Sequence, residues 1–481
     1  MSNQLTKADA ARKRVSKNPN SLTSALANGG PIVWLSCLIM GLGNIVAGQV
    51  IKGLIFLAIE VLVICVMVMP ILPDMQGVAH TGIQWIQKLP SLGDTPDMEV
   101  WDDFEFVYKT SYGDRSHLIL LYGVIFIFVA LVFLVVWRAS VRSGYMALST
   151  CKAGKKPNSF IKDIKELLDS NIHKLLMFFP FACLVVFTFI PLAYMISMAF
   201  TNYHEGYYEV GGNPSNYMNL FDWVGLDNFA QLFKSGSVIA EQFWSVLAWT
   251  LVWAFFATFL NFFMGTFVAM IINRPTTQLK SFWRTVLSIT IAVPQFVSLM
   301  LIGKMFADNG IINKVLMETA LTDDSVRWYS VTTSARIFVI VINLWVGIPY
   351  TVMQVTGILK NIPADLYEAA RIDGANAVQQ FRNITLPYMI FVMTPYIITS
   401  FTGNINNFNV IFLLTGGAPN VLGKTAGTTD LLVTWLYKLS VDKQQYDIAA
   451  VIGICTFIVL SIVSLVTYRS SGSYKDEEGF K

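Results

Sequence analysis

Two short polar runs interrupt an otherwise apolar sequence. Asn343, Gly347 and Tyr350 fall at i, i+4 and i+7 within NLWVGIPY, and Ser400, Asn404 and Asn407 repeat that spacing within SFTGNINNF. On a helix each set shares one face. Amides in hydrocarbon cost several kcal/mol when unpaired, so both faces must meet protein, water or a solute. Neutral donors and acceptors beside a tyrosine ring suit a carbohydrate: hydroxyls pair with the amides and a sugar face stacks on the ring. Packing between helices by small and amide residues is the competing reading, and Gly347 fits it equally well. An ion path would carry carboxylates, and a phosphorylated solute would want Arg or Lys. Neither run contains them.

Other chemistry has less support. His80, His117, His173 and His204 are far apart, and Cys37, Cys65, Cys151, Cys183 and Cys455 include no C-x-x-C pair. Neither a metal site nor a disulfide framework is expected. Gly417-Ala-Pro-Asn-Val-Leu-Gly423-Lys424-Thr425 looks like a phosphate loop, but five residues separate its glycines. The motif needs four and a preceding strand, so ATP must be bound by another chain. Asp94, Asp97, Glu99, Asp102, Asp103 and Glu105 form the one acidic cluster. A membrane enzyme would need such carboxylates for catalysis, but the cluster reads more simply as a solvated face.

These residues sit in a chain that is 54% hydrophobic and 14% charged over 481 residues, against about 25% charge in soluble domains. A membrane helix needs about 20 apolar residues. Eight segments qualify: 53–73, 117–137, 176–200, 242–272, 285–303, 337–358, 389–413 and 448–468. A ninth stretch, 31–50, is broken by Gly41, Gly43, Asn44, Gly48 and Gln49 and is expected to be interfacial or re-entrant. With eight spans, the segments on the N-terminal side hold 22 Lys+Arg and 10 Asp+Glu, and those opposite hold 11 and 20. That places both termini in the cytoplasm. Glu60 lies mid-span and reads as one polar contact between helices rather than a proton relay.

Residues 361–388 (NIPADLYEAARIDGANAVQQFRNITLPY) then fall on the cytoplasmic side. Pro363 suits a helix's first turn, Asp365 its positive end, and Gly374 a left-handed stop. Leu366, Ala369 and Ala370 share a face. A second helix over 376–384 follows, closed by Pro387. The result is a polar helix–Gly–helix hairpin with small side chains that allow close approach by a partner.

Glu368-Ala369-Ala370, Gly374, Ile384, Leu386 and Pro387 keep every spacing of the EAA signature of ATP-binding-cassette importer permeases. NLWVGIPY, SFTGNINNF, DLYEAA and TDLLVTW, with WVGLDNF at 223–229 and AVPQF at 292–296, resemble the maltose/maltodextrin-type permease, a binding-protein-dependent transport inner-membrane component. The resemblance is good over 220–470 and weaker before 175. It implies an all-α integral membrane protein with the type I importer core. Its hairpin residues dock an ATPase, and Asn343, Gly347, Tyr350, Ser400, Asn404 and Asn407 form a transmembrane sugar site. Gly403 stands where the family can carry an aromatic ring. The resemblance also implies a homologous second permease, two ATPase copies that bind ATP and Mg, and an extracellular solute-binding protein. The chain itself would be no enzyme and hold no cofactor. Its surroundings would be the lipids of a bacterial cytoplasmic membrane, with no nucleic-acid partner.

The expected organisation is a basic N-terminus (1–30), the broken element (31–50), a two-span extension (51–175) with an outer loop (74–116), a third span with a short loop (176–241), the permease core (242–468) and a tail (469–481). The cargo is expected to be maltose or maltodextrin. Another oligosaccharide, a membrane-embedded glycan-processing enzyme, and a non-transporting scaffold that recruits an ATPase remain as alternatives.

Overall fold

The computed structural model describes residues 21–73, 78–94, 98–102, 107–111, 113–203, 220–274 and 276–470. The basic residues before 21, the tail beyond 470, His204 and, of the acidic stretch, Asp97, Asp103 and Glu105 lie outside them. Contacts divide the chain into two compact units, Met1–Val224 and Gly225–Lys481.

In the first unit, α1 (Leu22–Asn28), α2 (Gly30–Leu35) and α3 (Leu42–Val46) precede α4 (Val50–Val68). The strands β1 (Leu72–Pro73) and β2 (Ala79–His80) pair antiparallel, and α5 (Gly82–Lys88) follows. A second hairpin joins β3 (Met98–Asp102) to β4 (Val107–Ser111). Then come α6 (Ser116–Lys152), α7 (Phe160–Leu168), α8 (Ile172–Leu184) and α9 (Ile190–Met198). The two hairpins are an addition to the all-α expectation.

Residues 31–50 stay broken because Gly41 and Gly48 adopt left-handed φ of 82° and 86°, leaving helices too short to cross a bilayer. The backbone groups freed by that break find partners on longer helices, as burial requires. The Met40 N–H donates to Glu60 Oε2 at 2.8 Å, the Gly41 N–H to Ser140 Oγ at 2.9 Å, and Trp137 Nε1 to the Cys37 carbonyl at 2.9 Å. Glu60 is therefore a buried acceptor that pins the broken segment.

The second unit contains α10 (Asp227–Phe233), α11 (Val238–Asn273), α12 (Lys280–Ala292), α13 (Gln295–Met305), α14 (Ile311–Glu318), α15 (Thr332–Leu359), α16 (Ala364–Ile372), α17 (Ala377–Gln380), α18 (Leu386–Ile405), α19 (Phe408–Leu414), α20 (Leu432–Tyr437) and α21 (Tyr446–Ser470). Among the described residues of the whole chain, seven helices are long and apolar enough to cross a membrane, and α12 with α13 forms an eighth candidate bent by 89°.

Three expectations need correction. The fifth span is not continuous, because a proline pushes the residue before it out of the helical region; Val293 is extended at ψ 126°. The seventh span ends at Ile405 instead of reaching 413, and Asn407 caps the separate helix α19 through Val410 N–H at 3.3 Å. Pro387 does not close a helix. A π-helical stretch, Phe381–Thr385, carries the chain from α17 into α18, with Pro387 in the first turn of α18, where its missing N–H costs little.

Two apolar cores divide the length of the second unit. One joins Trp249, Trp253 and Ala257 of α11 to Phe338, Val339 and Ile342 of α15 and to Val410 and Ile411. The other joins Phe262, Ala269 and Ile272 to Val352, Val355, Met389 and Met393. Between them, α11 and α15 approach closely at glycines: a Cβ on Gly265 would lie 2.5 Å from Thr351.

Candidate functional site

The gap between these cores is a cavity of about 270 Å³. Its walls come from α11, α13, α15 and α18. All six residues singled out by spacing line it: Asn343, Gly347 and Tyr350 from α15, and Ser400, Asn404 and Asn407 from α18 and the turn after it. Among the described residues, no Asp, Glu, Lys, Arg or His lines it.

The polar groups are partly committed to protein. Asn404 Nδ2 donates to Thr258 Oγ1 at 3.0 Å, Asn407 Nδ2 to Asn404 Oδ1 at 3.3 Å, and Trp253 Nε1 to the Asn404 carbonyl at 3.0 Å. This chain of bonds crosses from α11 to the end of α18 and orients the amides. Tyr350 is 47% exposed, which leaves its ring face available for stacking. Asn343 is 4% exposed, and its Nδ2 has no partner. A Cβ on Gly403 would meet nothing within 4 Å, so glycine there enlarges the space.

Six polar or aromatic residues of the wall were not anticipated from sequence: Thr258, Asn261, Phe262, Gln295, Thr351 and Tyr396. Thr258 and Asn261 lie three apart, hence on one helix face. Gln295 opens α13 just past the bend. Tyr396 supplies a second ring on α18, one turn before Ser400.

The hairpin at 361–388 forms a separate surface. The Gly374 φ is 78°, the left-handed stop, and Ala375 N–H donates to the Ala370 carbonyl at 2.8 Å. Tyr367 and Thr385 hydroxyls are 2.8 Å apart, tying α16 to the π-helical stretch. Glu368 and Ala369 are exposed, Ala370 and Ile384 half-buried. Leu366, Ile372 and Val378 expose apolar side chains (Ile372 by 86%) on the same short hairpin. An exposed carboxylate among small and apolar residues is suited to a protein partner. Leu386 and Pro387 sit at the base of this surface, where α18 begins.

The glycine-lysine segment has its backbone donors satisfied by protein. Gln242 Oε1 accepts from the Thr425 N–H at 2.9 Å, the Thr425 hydroxyl at 3.1 Å and the Ala426 N–H at 3.0 Å. These donors do not cradle a phosphate.

Residues 261–471 match the family model described as "Binding-protein-dependent transport system inner membrane component". The galactooligosaccharides transport system permease protein of Bacillus subtilis strain 168 is 33% identical over 448 residues, covering 93% of this chain and 99% of that one. The maltodextrin transport system permease protein of the same organism is 32% identical over 455 residues, covering 92% and 96%. Among solved structures, a bacterial ABC transporter involved in import of the acidic polysaccharide alginate superposes with a TM-score of 0.51 at 20% identity, covering 63% of this chain and 96% of that chain. At that identity the likeness concerns fold.

Proposed function

The chain belongs to the binding-protein-dependent transport inner-membrane components, and from that membership we propose that it passes an oligosaccharide, maltodextrin first, through the cavity between its two cores. It is a permease subunit of an ATP-binding-cassette importer and not an enzyme. Membership implies a separate ATPase and a solute-binding protein.

The observation that carries the cargo reading is a membrane-level cavity walled by amides, hydroxyls and tyrosines without a formal charge. Such a wall pairs with sugar hydroxyls and stacks on sugar faces. In the proposed cycle the binding protein delivers the sugar, ATP and Mg act on two ATPase copies, and a homologous second permease completes the path. Closure of the ATPases moves the hairpins, and the spans alternate access to the cavity. Glu368, Ala369, Ala370 and Gly374 form the surface that takes that motion, with Ile384, Leu386 and Pro387 passing it into α18. Galactooligosaccharide is the second reading, favoured by the 33% identical relative and by the space left at Gly403.

The test is sugar uptake and sugar-stimulated ATP hydrolysis by the complete reconstituted complex over a panel of malto- and galacto-oligosaccharides. Asn404→Leu and Tyr350→Ala should each lower uptake roughly five- to tenfold or reorder the panel, as the loss of one hydrogen bond or stacking contact does. An unchanged sugar profile in both variants would leave only the packing reading.

A further inference from the structure

We propose that Asn261 on α11 is a further solute-contacting residue, selective for a hydroxyl, and that Gly347 is glycine in order to seat its amide. The inference rests on the cavity being the sugar site.

Asn261 is the one amide in α11 between Gln242 and Asn273. Its Nδ2 donates back to the Ala257 carbonyl at 2.6 Å. That bond decides which end of the amide faces its own helix, so Oδ1 is the end left over. Oδ1 is buried and has no hydrogen-bond partner. Across the interface, Asn343 Nδ2 is a buried donor with no partner. Both residues line the cavity. Buried polar groups without partners are rare in folded proteins and call for an explanation. Here one is an acceptor and the other a donor, in the same wall.

Gly347 relates the two. A Cβ at Gly347 would lie 2.4 to 2.6 Å from Nδ2, Cγ and Oδ1 of Asn261. The Asn261 amide thus rests directly on the backbone of α15 at that position. Asn343 is four residues earlier on the same helix, about 6 Å along the axis. Two hydrogen bonds of about 2.8 Å meeting at one oxygen join atoms about 4.6 Å apart, so the two side chains, both of which line the cavity, have to close the rest of that offset. An oxygen that accepts from Asn343 and donates to Asn261 must carry hydrogen, which means a hydroxyl of the sugar, or water when no sugar is bound. An ether oxygen, a carboxylate or a fluorine can only accept. The pair therefore distinguishes a hydroxyl from every acceptor-only group at one position of the sugar.

The preceding turn of α11 supports the arrangement: Thr258 accepts from Asn404 one turn before Asn261. The helix thereby presents one polar group to α18 and a second to α15. An amide present only for packing would use both of its ends within the protein, and Asn261 uses one.

The experiment uses the full complex in proteoliposomes. Uptake is measured for maltose or galactobiose, whichever the parent transports, against its set of monodeoxyfluoro analogues. The parent should discriminate against one analogue at least tenfold more than against the others. Asn261→Ala and Asn261→Ser should lower uptake of the natural sugar and reduce that discrimination to the level of the other analogues. Gly347→Ala should do the same by displacing the amide, and the Gly347→Ala, Asn261→Ala double variant should be recovered in membranes at least as well as Gly347→Ala alone. An unchanged analogue profile in Asn261→Ala overturns the inference. If Tyr350→Ala and Asn404→Leu still reorder the panel, the site stands and only the role of Asn261 falls. If those variants are also silent, or neither sugar is transported, the cavity reading itself falls.

Discussion

A carboxylate with no exposed surface must be met by donors on every side, and Asp430 is met by three. Its oxygens accept from the Gly427 N–H at 2.7 Å, the Thr434 hydroxyl at 2.9 Å and Lys438 Nζ at 2.6 Å. The Asp430 side chain is fully buried and that of Lys438 is 13% exposed. The same acid explains one glycine upstream. A Cβ on Gly417 would fall 2.1 to 2.5 Å from the Asp430 carboxyl atoms, and Gly417 has a φ of 84° besides. The stretch that looks like a phosphate loop is thus a turn folded around its own buried acid. Removing one member of a buried ion pair leaves the other charged and unmatched, at a cost of about 3–5 kcal/mol. Asp430→Ala should accordingly lower the melting temperature of the purified complex by several degrees, while Asp430→Asn, which keeps an acceptor, should lower it less. Equal melting temperatures for Asp430→Ala and the parent would show that the pair does not hold the turn.

The proposed coupling belongs to the scale of elements, and one variant probes it. Glu368 lies exposed on α16, and the Tyr367–Thr385 contact ties that helix to the π-helical entry of α18, so a push on the hairpin reaches the span that holds Ser400 and Asn404. In the proposed docking, Glu368→Lys reverses the charge presented to the ATPase. Sugar uptake should fall at least tenfold and less ATPase should co-purify, with the affinity of the binding protein for sugar unchanged. Normal uptake would remove the hairpin from the docking role. How far such elements are legible in sequence differs between them for physical reasons. Gly374 and the EAA spacing are local, and so were legible. Asn343, Gly347 and Tyr350 stood out because polar residues repeating along an apolar helix leave a pattern. Asn261 left none, being the one amide between Gln242 and Asn273 in a 36-residue helix. Gln295 entered the wall through the bend at Pro294; a proline announces a break, but its 89° angle is decided by what the two halves pack against. Likewise the second span reads as 117–137 by hydropathy while α6 runs to Lys152, because hydropathy marks where lipid ends and a helix can continue into water.

At the scale of the whole molecule the open quantity is parity. If the bent pair α12–α13 crosses the membrane as one span, the chain makes eight crossings and its termini share a side. If it re-enters, the chain makes seven and they do not. Charge does not separate these cases. Placing 304–336 and 414–447 inside, with 359–388 and 469–481 outside, moves the Lys+Arg split only from 22 versus 11 to 23 versus 10. The first half of the chain carries 13 Lys+Arg in 1–30 and 138–175 against 3 in 74–116, and under both the positive-inside rule predicts an inward N-terminus. The proposed docking requires eight crossings, since an ATPase that uses cytoplasmic ATP can meet 361–388 only then. Tags at residue 1 and residue 481 should therefore both resist protease in right-side-out vesicles, while a tag in the 204–219 segment is cleaved. Cleavage at residue 481 alone would make the bent pair re-entrant and remove the hairpin from the cytoplasm. Cleavage at residue 1 would make 31–50 a ninth span.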